Sequence, residues 1–394
     1  GGCPDDLTLH RLIVIAAMPG TLNGKGVKRL AGRPTDAPPL GLDFPPKPNP
    51  VTVCRRAGLL VDHEINPPAP DIVAAAVCSK VLEADDELAP ELLWAALDGR
   101  VEAAMARIGR LHHDAEYVLG LQTGLPGQCL EQAVTRRPEL AKQLETVFSE
   151  VTLPLGCLPA AVAVWGELLR METDDGNRAR LLNNLGKDLA ALGRHEDALA
   201  ATEESVDIYR ELARTRPEAF LPDLATSLNN LGTYLAALGR HQDALAVTEE
   251  SVDIHRELAR TRSEVFLPDL AMSLNNLGVR YNSLGRYEDA LAATEKSIDI
   301  YRKLSETRPE VFLPKLAASL NNLGNRYDSL DRYEDALAPT EKSVDTYREL
   351  ARTRPEVFLP DLAGSLNNLG VRYNSLRRHE DALAATEKSI DIYR

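Results

Sequence analysis

Aromatic residues make up only 5% of this 394-residue chain, and no stretch approaches 18 uninterrupted apolar residues. A helix needs about that length to cross a bilayer, so the sequence offers no membrane span. Positive charge is scarcer than negative: 45 Lys and Arg face 59 Asp and Glu, for a net charge of −14. A chain of this sign repels phosphate backbones, which sets nucleic acid aside as a partner. Cysteine is sparse. Cys3, Cys54, Cys78, Cys129 and Cys157 are odd in number, far apart, and form no C-x-x-C pair. That argues against a disulfide framework or zinc site and suits reduced thiols in a cytoplasmic protein. The apolar run Leu12–Met18 is short and has no convincing cleavage site after it, so no signal peptide is read.

Signatures of catalysis are missing too. "GTLNGKGV" (Gly20–Val27) is glycine-rich and contains lysine, but lacks the G-x-x-x-x-G-K-[ST] spacing that cradles phosphates, and reads as a loop. His112, His113 and Asp114 have no second His or Cys cluster at ligand spacing, and adjacent helical residues point in different directions. The recurrent acidic column Glu203, Glu249, Glu295, Glu341 and Glu387 resembles paired catalytic carboxylates only superficially. An i,i+3 pair such as Asp299–Arg302 is ordinary support on a helix surface. No enzyme activity, cofactor or metal is expected.

Proline is unevenly spread. Residues 1–70 hold 12 of the 25 prolines, including "DAPPLGLDFPPKPNP" (Asp36–Pro50), which predicts a largely irregular segment. Its charge is +2, leaving −16 for the remainder, so a boundary falls near Pro70. Residues 71–173 turn helical without repeating. "PELLWAALDGRVEAAMARIGRLH" and "RRPELAKQLETVFSEV" carry apolar residues at three- and four-residue spacing. Gly120–Gln128 and Leu153–Pro159 read as breaks, and Ala160–Met171 leads into a repetitive second half.

There "SLNNLG" begins at Ser227, Ser273, Ser319 and Ser365, and "RLLNNLG" at Arg180, so the asparagine pairs recur every 46 residues. A fixed period of this size marks stacked repeats, here five units over 174–394 with the last one truncated. Each unit holds two helical patterns. In "LPDLATSLNNLGTYLAAL", Leu224, Leu228, Leu231, Leu235 and Leu238 form one apolar stripe, with Pro222 in the first turn and Gly239 as C-cap. In "HQDALAVTEESVDIHRELAR", Ala244, Leu245, Val252 and Ala259 lie on one side and Val247 and Ile254 on the other. A helix with two apolar sides is sandwiched between neighbours, as a solenoid requires.

The order Leu277-Gly278, Tyr281, Gly285 and Ala290 resembles the tetratricopeptide repeat. The 46-residue period exceeds that family's usual length, the excess lying in longer helices and the "TRPEVFLP" link (Thr353–Pro360), as in kinesin light chains. The resemblance implies an all-α fold: a right-handed α-solenoid of helical hairpins, preceded by the helical region and the Pro-rich segment. Thr248 and its equivalents replace the family's large second-helix aromatic, which predicts looser packing between paired helices.

On a helical wheel Thr226, Asn229, Thr233, Ala236 and Ala237 fall opposite the leucine stripe, with Asn230 at the margin. In the family this face lines a concave groove for partner peptides. The resemblance therefore places Asn183, Asn184, Asn229, Asn230, Asn275, Asn276, Asn321, Asn322, Asn367 and Asn368 in a peptide groove, with Thr233, Val279, Asn282 and Asn325. An amide both donates and accepts, so it can pair with an extended backbone of any sequence. A ladder of amides bonding neighbouring helices would need the same repetition, and both readings stay open. Arg180 and Lys187 in the first unit are the only cations read on this face, so the trough is mostly neutral and amide-rich.

The units are also nearly identical: the 36 residues from Leu267 and from Leu359 differ at three positions, which favours an extended ligand over a tuned pocket. The expected function is a protein–protein interaction scaffold. Its rival is the sensor portion of a larger signalling ATPase or protease whose catalytic domain lies outside this chain. Leu383 and Ile390, with no helix after them, predict self-association through the last repeat.

Overall fold

The structure, a computed structural model, describes residues 125–150 and 155–393, with positions 11, 15, 22–23, 60–61, 64–65, 90 and 92. The readings at His112–Asp114, Asp36–Pro50, Cys3, Cys54 and Cys78 lie outside the described residues. So do most of Leu12–Met18, Gly20–Val27 and the stretch 71–124.

Within residues 1–70 the described positions are not all irregular. Three two-residue strands, β1 (Leu22–Asn23), β2 (Leu60–Val61) and β3 (Glu64–Ile65), pair antiparallel in the order β1-β3-β2. Leu22 and Leu60 both face Ile65 across the ladders. Apart from turns, everything else described is helical.

The chain forms two compact units, residues 1–201 and 202–394. In the first, α1 (Leu125–Arg136) and α2 (Glu139–Glu150) precede a 3₁₀ turn, α3 (Leu158–Met171) and α4 (Asp175–Ala191). Helix α1 starts inside the expected break at Gly120–Gln128, because Pro126 is tolerated in a first turn. Trp165 of α3 is buried, meets Phe148 edge-on at 6.4 Å, and donates Nε1–H to Asp188 Oδ2 at 2.7 Å. Burial pushes the Asp188 carboxyl up despite that bond. Cys129 and Cys157 are free and buried, and burial raises the Cys157 thiol to about 12.

Helix α5 (His195–Thr215) runs across the division. The second unit continues with α6 (Pro217–Ala237), α7 (His241–Thr261), α8 (Ser263–Ser283), α9 (Tyr287–Thr307), α10 (Pro309–Ser329), α11 (Tyr333–Thr353), α12 (Pro355–Ser375) and α13 (His379–Tyr393). From α6 to α13 each helix packs on the next. We call α6, α8, α10 and α12 the A helices, and α7, α9, α11 and α13 the B helices.

The leucine stripe forms the core: Leu224, Leu228, Leu231 and Leu235 are at most 5% exposed. Each contributes about 2 kcal/mol through burial. The B helices are sandwiched as expected, Val252 packing with Phe266, Leu270 and Leu274 of the following A helix. Gly193, Gly239 and Gly285 end their helices at φ near +75°, a backbone region glycine enters freely.

Two expectations change. First, the "TRPEVFLP" link is almost entirely helix. The only non-helical residue is the arginine at 216, 262, 308 or 354, at φ near −136°. Its guanidinium lies over the phenylalanine four residues on, 4.7 Å for Arg216–Phe220 and 4.9 Å for Arg262–Phe266. The A helix therefore begins at Pro217, and Pro222 sits inside it rather than in the first turn. Second, the paired helices are closer, not looser. A Cβ on Gly278 would stand 2.5 Å from Thr294 Oγ1 and 3.1 Å from Ala290 O. Gly232, Gly324 and Gly370 meet Thr248, Thr340 and Thr386 in the same way. A small residue on each side lets the backbones approach, and the hydroxyl is satisfied by its own helix, Thr294 donating to Ala290 O at 2.9 Å.

Candidate functional site

Buried serines set the spacing of the second unit. Ser251, Ser297, Ser343 and Ser389 on B helices donate to Ala225, Ala271, Ala317 and Ala363 carbonyls at 2.7–2.8 Å. Short side chains that carry their own hydrogen bond draw each B helix onto the A helix before it.

On the A helices the asparagine pairs divide by role. The first of each pair tends to join helices. Asn229 is buried and donates Nδ2–H to Ser273 Oγ at 2.6 Å, and Asn321 does the same to Ser365. Asn275 instead accepts from Asn322 at 3.1 Å. Asn183 and Asn230 are half-buried and engaged within the protein. Asn184, Asn276 and Asn368 are half-buried without a hydrogen-bond partner among the described residues, while Asn367 is exposed. Thr233 is exposed, bonding back to Asn229 O at 3.1 Å, and Val279, Asn282 and Asn325 are half-buried. The structure thus assigns part of the repeated amides to a ladder and leaves others open on the same helices.

The face is not neutral. Arg280, Arg326 and Arg372 recur at the 46-residue interval and are 4–8% exposed. On the wheel this position falls between the stripe and the groove, and only the length of an arginine brings its head to the face. The recurrence of Arg-Tyr at 280–281, 326–327 and 372–373 was the available signal. Of the two cations read in the first unit, Arg180 pairs with Glu145 at 2.6 Å and Lys187 is exposed.

The three arginines differ in their partners. Arg372 forms an ion pair with Asp328 at 2.6 Å and bonds Asn325, both on the preceding A helix. Arg280 bonds Thr233 Oγ1, at 3.3 Å, and has no carboxylate partner among the described residues. Arg326 has no acceptor among the described residues, and its Nε is buried and unsatisfied, as are those of Arg280 and Arg372. The positions that serve Arg372 are filled by Val279 and Asn282 ahead of Arg326, and the Asn282 Oδ1 is buried and unsatisfied. Burial lowers Arg326 to about 10, so it stays charged at neutral pH.

The acidic column also has a use the sequence did not reveal. Tyr281 donates to Glu249 at 2.8 Å and Tyr373 to Glu341 at 2.9 Å, each a B-helix carboxylate. Arg286 lies 4.2 Å over the Tyr281 ring and holds Asp289 at 2.7 Å. Burial and the glutamate raise Tyr281 to about 12. Asp299–Arg302 is the surface i,i+3 pair expected, at 3.1 Å. Among the described residues no group of three His, Cys, Asp or Glu could hold a metal, and no helix is long and apolar enough to cross a membrane.

Family models described as tetratricopeptide repeat match residues 223–303 and, separately, 178–213, 316–351 and 362–394. No curated protein matches the chain. Among solved structures, BtubC (BKLC) from P. vanneervenii aligns at 18% identity over 61% of this chain and 89% of its own, with TM-score 0.47. Nearly identical TPR-like repeats of kinesin-light-chain type from Podosopora anserina align at 20% over 56% and 97%, with TM-score 0.44. MamA from Desulfovibrio magneticus RS-1 aligns at 20% over 56% and 98%, with TM-score 0.37.

Proposed function

Because the repeats matched between residues 178 and 394 belong to the tetratricopeptide repeat family, we propose that they act as a protein–protein interaction scaffold holding an extended peptide along the A-helix face. The observation that carries this reading is the set of half-buried amides with no partner among the described residues, Asn276 and Asn368, beside a ladder in which the Asn229 and Asn321 amide N–H groups are already bonded to serines. An amide kept half-dry and unpaired loses hydrogen bonding that a peptide backbone restores in either polarity. Thr233, Val279 and Asn325 flank the same helices and would touch side chains of the peptide.

Two variants separate binding from architecture. Asn276→Ala with Asn368→Ala should weaken capture of an immobilised random-sequence peptide library while the unfolding curve stays put. Each amide is worth about 1 kcal/mol, roughly fivefold in affinity. Asn229→Ala with Asn321→Ala should do the reverse, lowering stability while binding per folded molecule holds. If the first pair leaves binding unchanged, this face is not the ligand site.

A further inference from the structure

One joint of the array, from α7 to α8, departs from the others on both of its sides. On the B helix, His255 replaces the tyrosine that α9 and α11 carry as Tyr301 and Tyr347. Those tyrosines reach back to their own A helix, donating to the Pro268 and Pro314 carbonyls at 3.5 and 3.1 Å. The shorter imidazole bonds to the next A helix, with Nδ1 2.8 Å from Ser273 Oγ. That hydroxyl accepts Nδ2–H of Asn229 at 2.6 Å, donates to Asp269 O at 3.0 Å, and lies 3.5 Å from Ser251 Oγ. Asn229, Ser251, His255 and Ser273 are all buried, so a single oxygen ties α6, α7 and α8 together. On the A helix, Ser263 stands where Pro217, Pro309 and Pro355 open α6, α10 and α12. The link keeps its shape, but proline's restraint on φ is gone and opening gains more conformational freedom. A groove of about 560 Å³, lined by Pro217, Leu221, Leu258 and Arg262, leaves the same link unpacked on one side.

We propose that the α7–α8 joint is a proton-operated hinge: mild acid parts the second hairpin (α6–α7) from the third (α8–α9) while the later joints stay closed. With the Ser273 proton given to Asp269 O, the neutral ring donates from Nδ1 and keeps a lone pair on Nε2. A second proton turns Nε2 into a donor that has no acceptor among the described residues. Asp269 of α8 is the one charged group acting on the ring, and it only partly offsets the cost of burial. The remaining neighbours in the network, Asn229 of α6 and Ser251 of α7, are neutral. A charge there is favoured once the helices part and admit water. Because the closed joint binds the proton less readily than an open one, falling pH favours opening. An open joint titrating near 6.5 gains at most about tenfold in population at about pH 5.5. Opening breaks the Asn229–Ser273 rung and uncovers Val252, Phe266 and Leu270, interrupting the A-helix face at one place.

Hydrogen exchange of the full chain, followed by mass spectrometry at about pH 7.5 and about pH 5.5 and corrected for the intrinsic effect of pH, reads each joint separately. Peptides spanning 252–274 should lose protection severalfold in acid, with about tenfold as the ceiling. The equivalent peptides 298–320 and 344–366, whose joints carry tyrosine and proline, should keep theirs. His255→Tyr should abolish the acid-induced loss. Ser263→Pro should raise protection of 252–274 at both pH values, because it stiffens the link without touching the titrating group. Equal loss at all three joints would mean general acid unfolding and overturns the hinge. Undiminished protection of 252–274 in acid overturns it as well, and so does an acid response that persists in His255→Tyr. Protection in Ser263→Pro that matches the parent at both pH values overturns a hinge at this link.

Discussion

At position 255 a histidine stands where the units on either side carry Tyr209 and Tyr301. The residue is 1% exposed, and its Nδ1 lies 2.8 Å from Ser273 Oγ on the next A helix. Burial lowers its pKa below the ordinary value of 6.5, with Asp269 on α8 partly opposing that shift. A base that binds its proton less well when folded leaves the unfolded state with more protons at mildly acidic pH. Stability from this site is therefore complete above the ordinary histidine pKa and is lost as pH falls from there through the folded value. Denaturant midpoints measured from neutral pH to about pH 5 should drop for the parent and drop less for His255→Tyr, which installs the neighbours' residue. Parallel pH profiles for the two proteins would show that His255 is not responsible.

Among elements, the turn from A to B helix shows how a repeat tolerates a worse residue. Gly193, Gly239 and Gly285 hold this position in the first three units, whereas Asp331 and Arg377 hold it at φ of 57° and 58°. Asp331 has some compensation, accepting from Tyr333 at 2.6 Å. Arg377 keeps the same backbone bond, N–H to Asn374 O at 2.9 Å, with strain and no side-chain partner among the described residues. A left-handed non-glycine residue costs about 1 kcal/mol or more. Arg377→Gly should recover about that amount, read as a higher denaturant midpoint. A lower midpoint would mean that the arginine side chain stabilises more than its backbone strains.

Across the whole repeat unit, each B helix depends on the A helix after it. Val252, Ile298 and Val344 are 1–3% exposed because α8, α10 and α12 cover them. Ile390 holds the same position on α13 and is 46% exposed, and Leu383 is 61% exposed. Paired large apolar side chains of this kind associate in water. Sedimentation of the parent at rising concentration should show dimers, and Leu383→Lys with Ile390→Lys should remain monomeric. The same mass for both at every concentration would assign this face no role in association.

The sequence alone determined which residues share a helical face and at what interval, because a strict period of 46 copies every contact from unit to unit. The leucine stripe, the sandwiched B helix and the glycine at the turn were legible for that reason. Tertiary structure decided what each face meets. Arg262 is followed by Ser263 rather than proline, yet the helix breaks there as it does at Arg216, with the same stacking on the phenylalanine four residues on, so proline is not required to fix the link. Asn229 and Asn275 repeat one position of the unit and are equivalent in the sequence, yet Asn229 donates to the serine of the next A helix while Asn275 accepts from Asn322. Arg326 reads as an ordinary charged residue. Its burial without a counter-ion arises from Val279 and Asn282, 47 and 44 residues earlier, lying where the next unit places Asn325 and Asp328. Periodicity fixes direction around one helix, but the partner across a gap is set by how closely two helices pack.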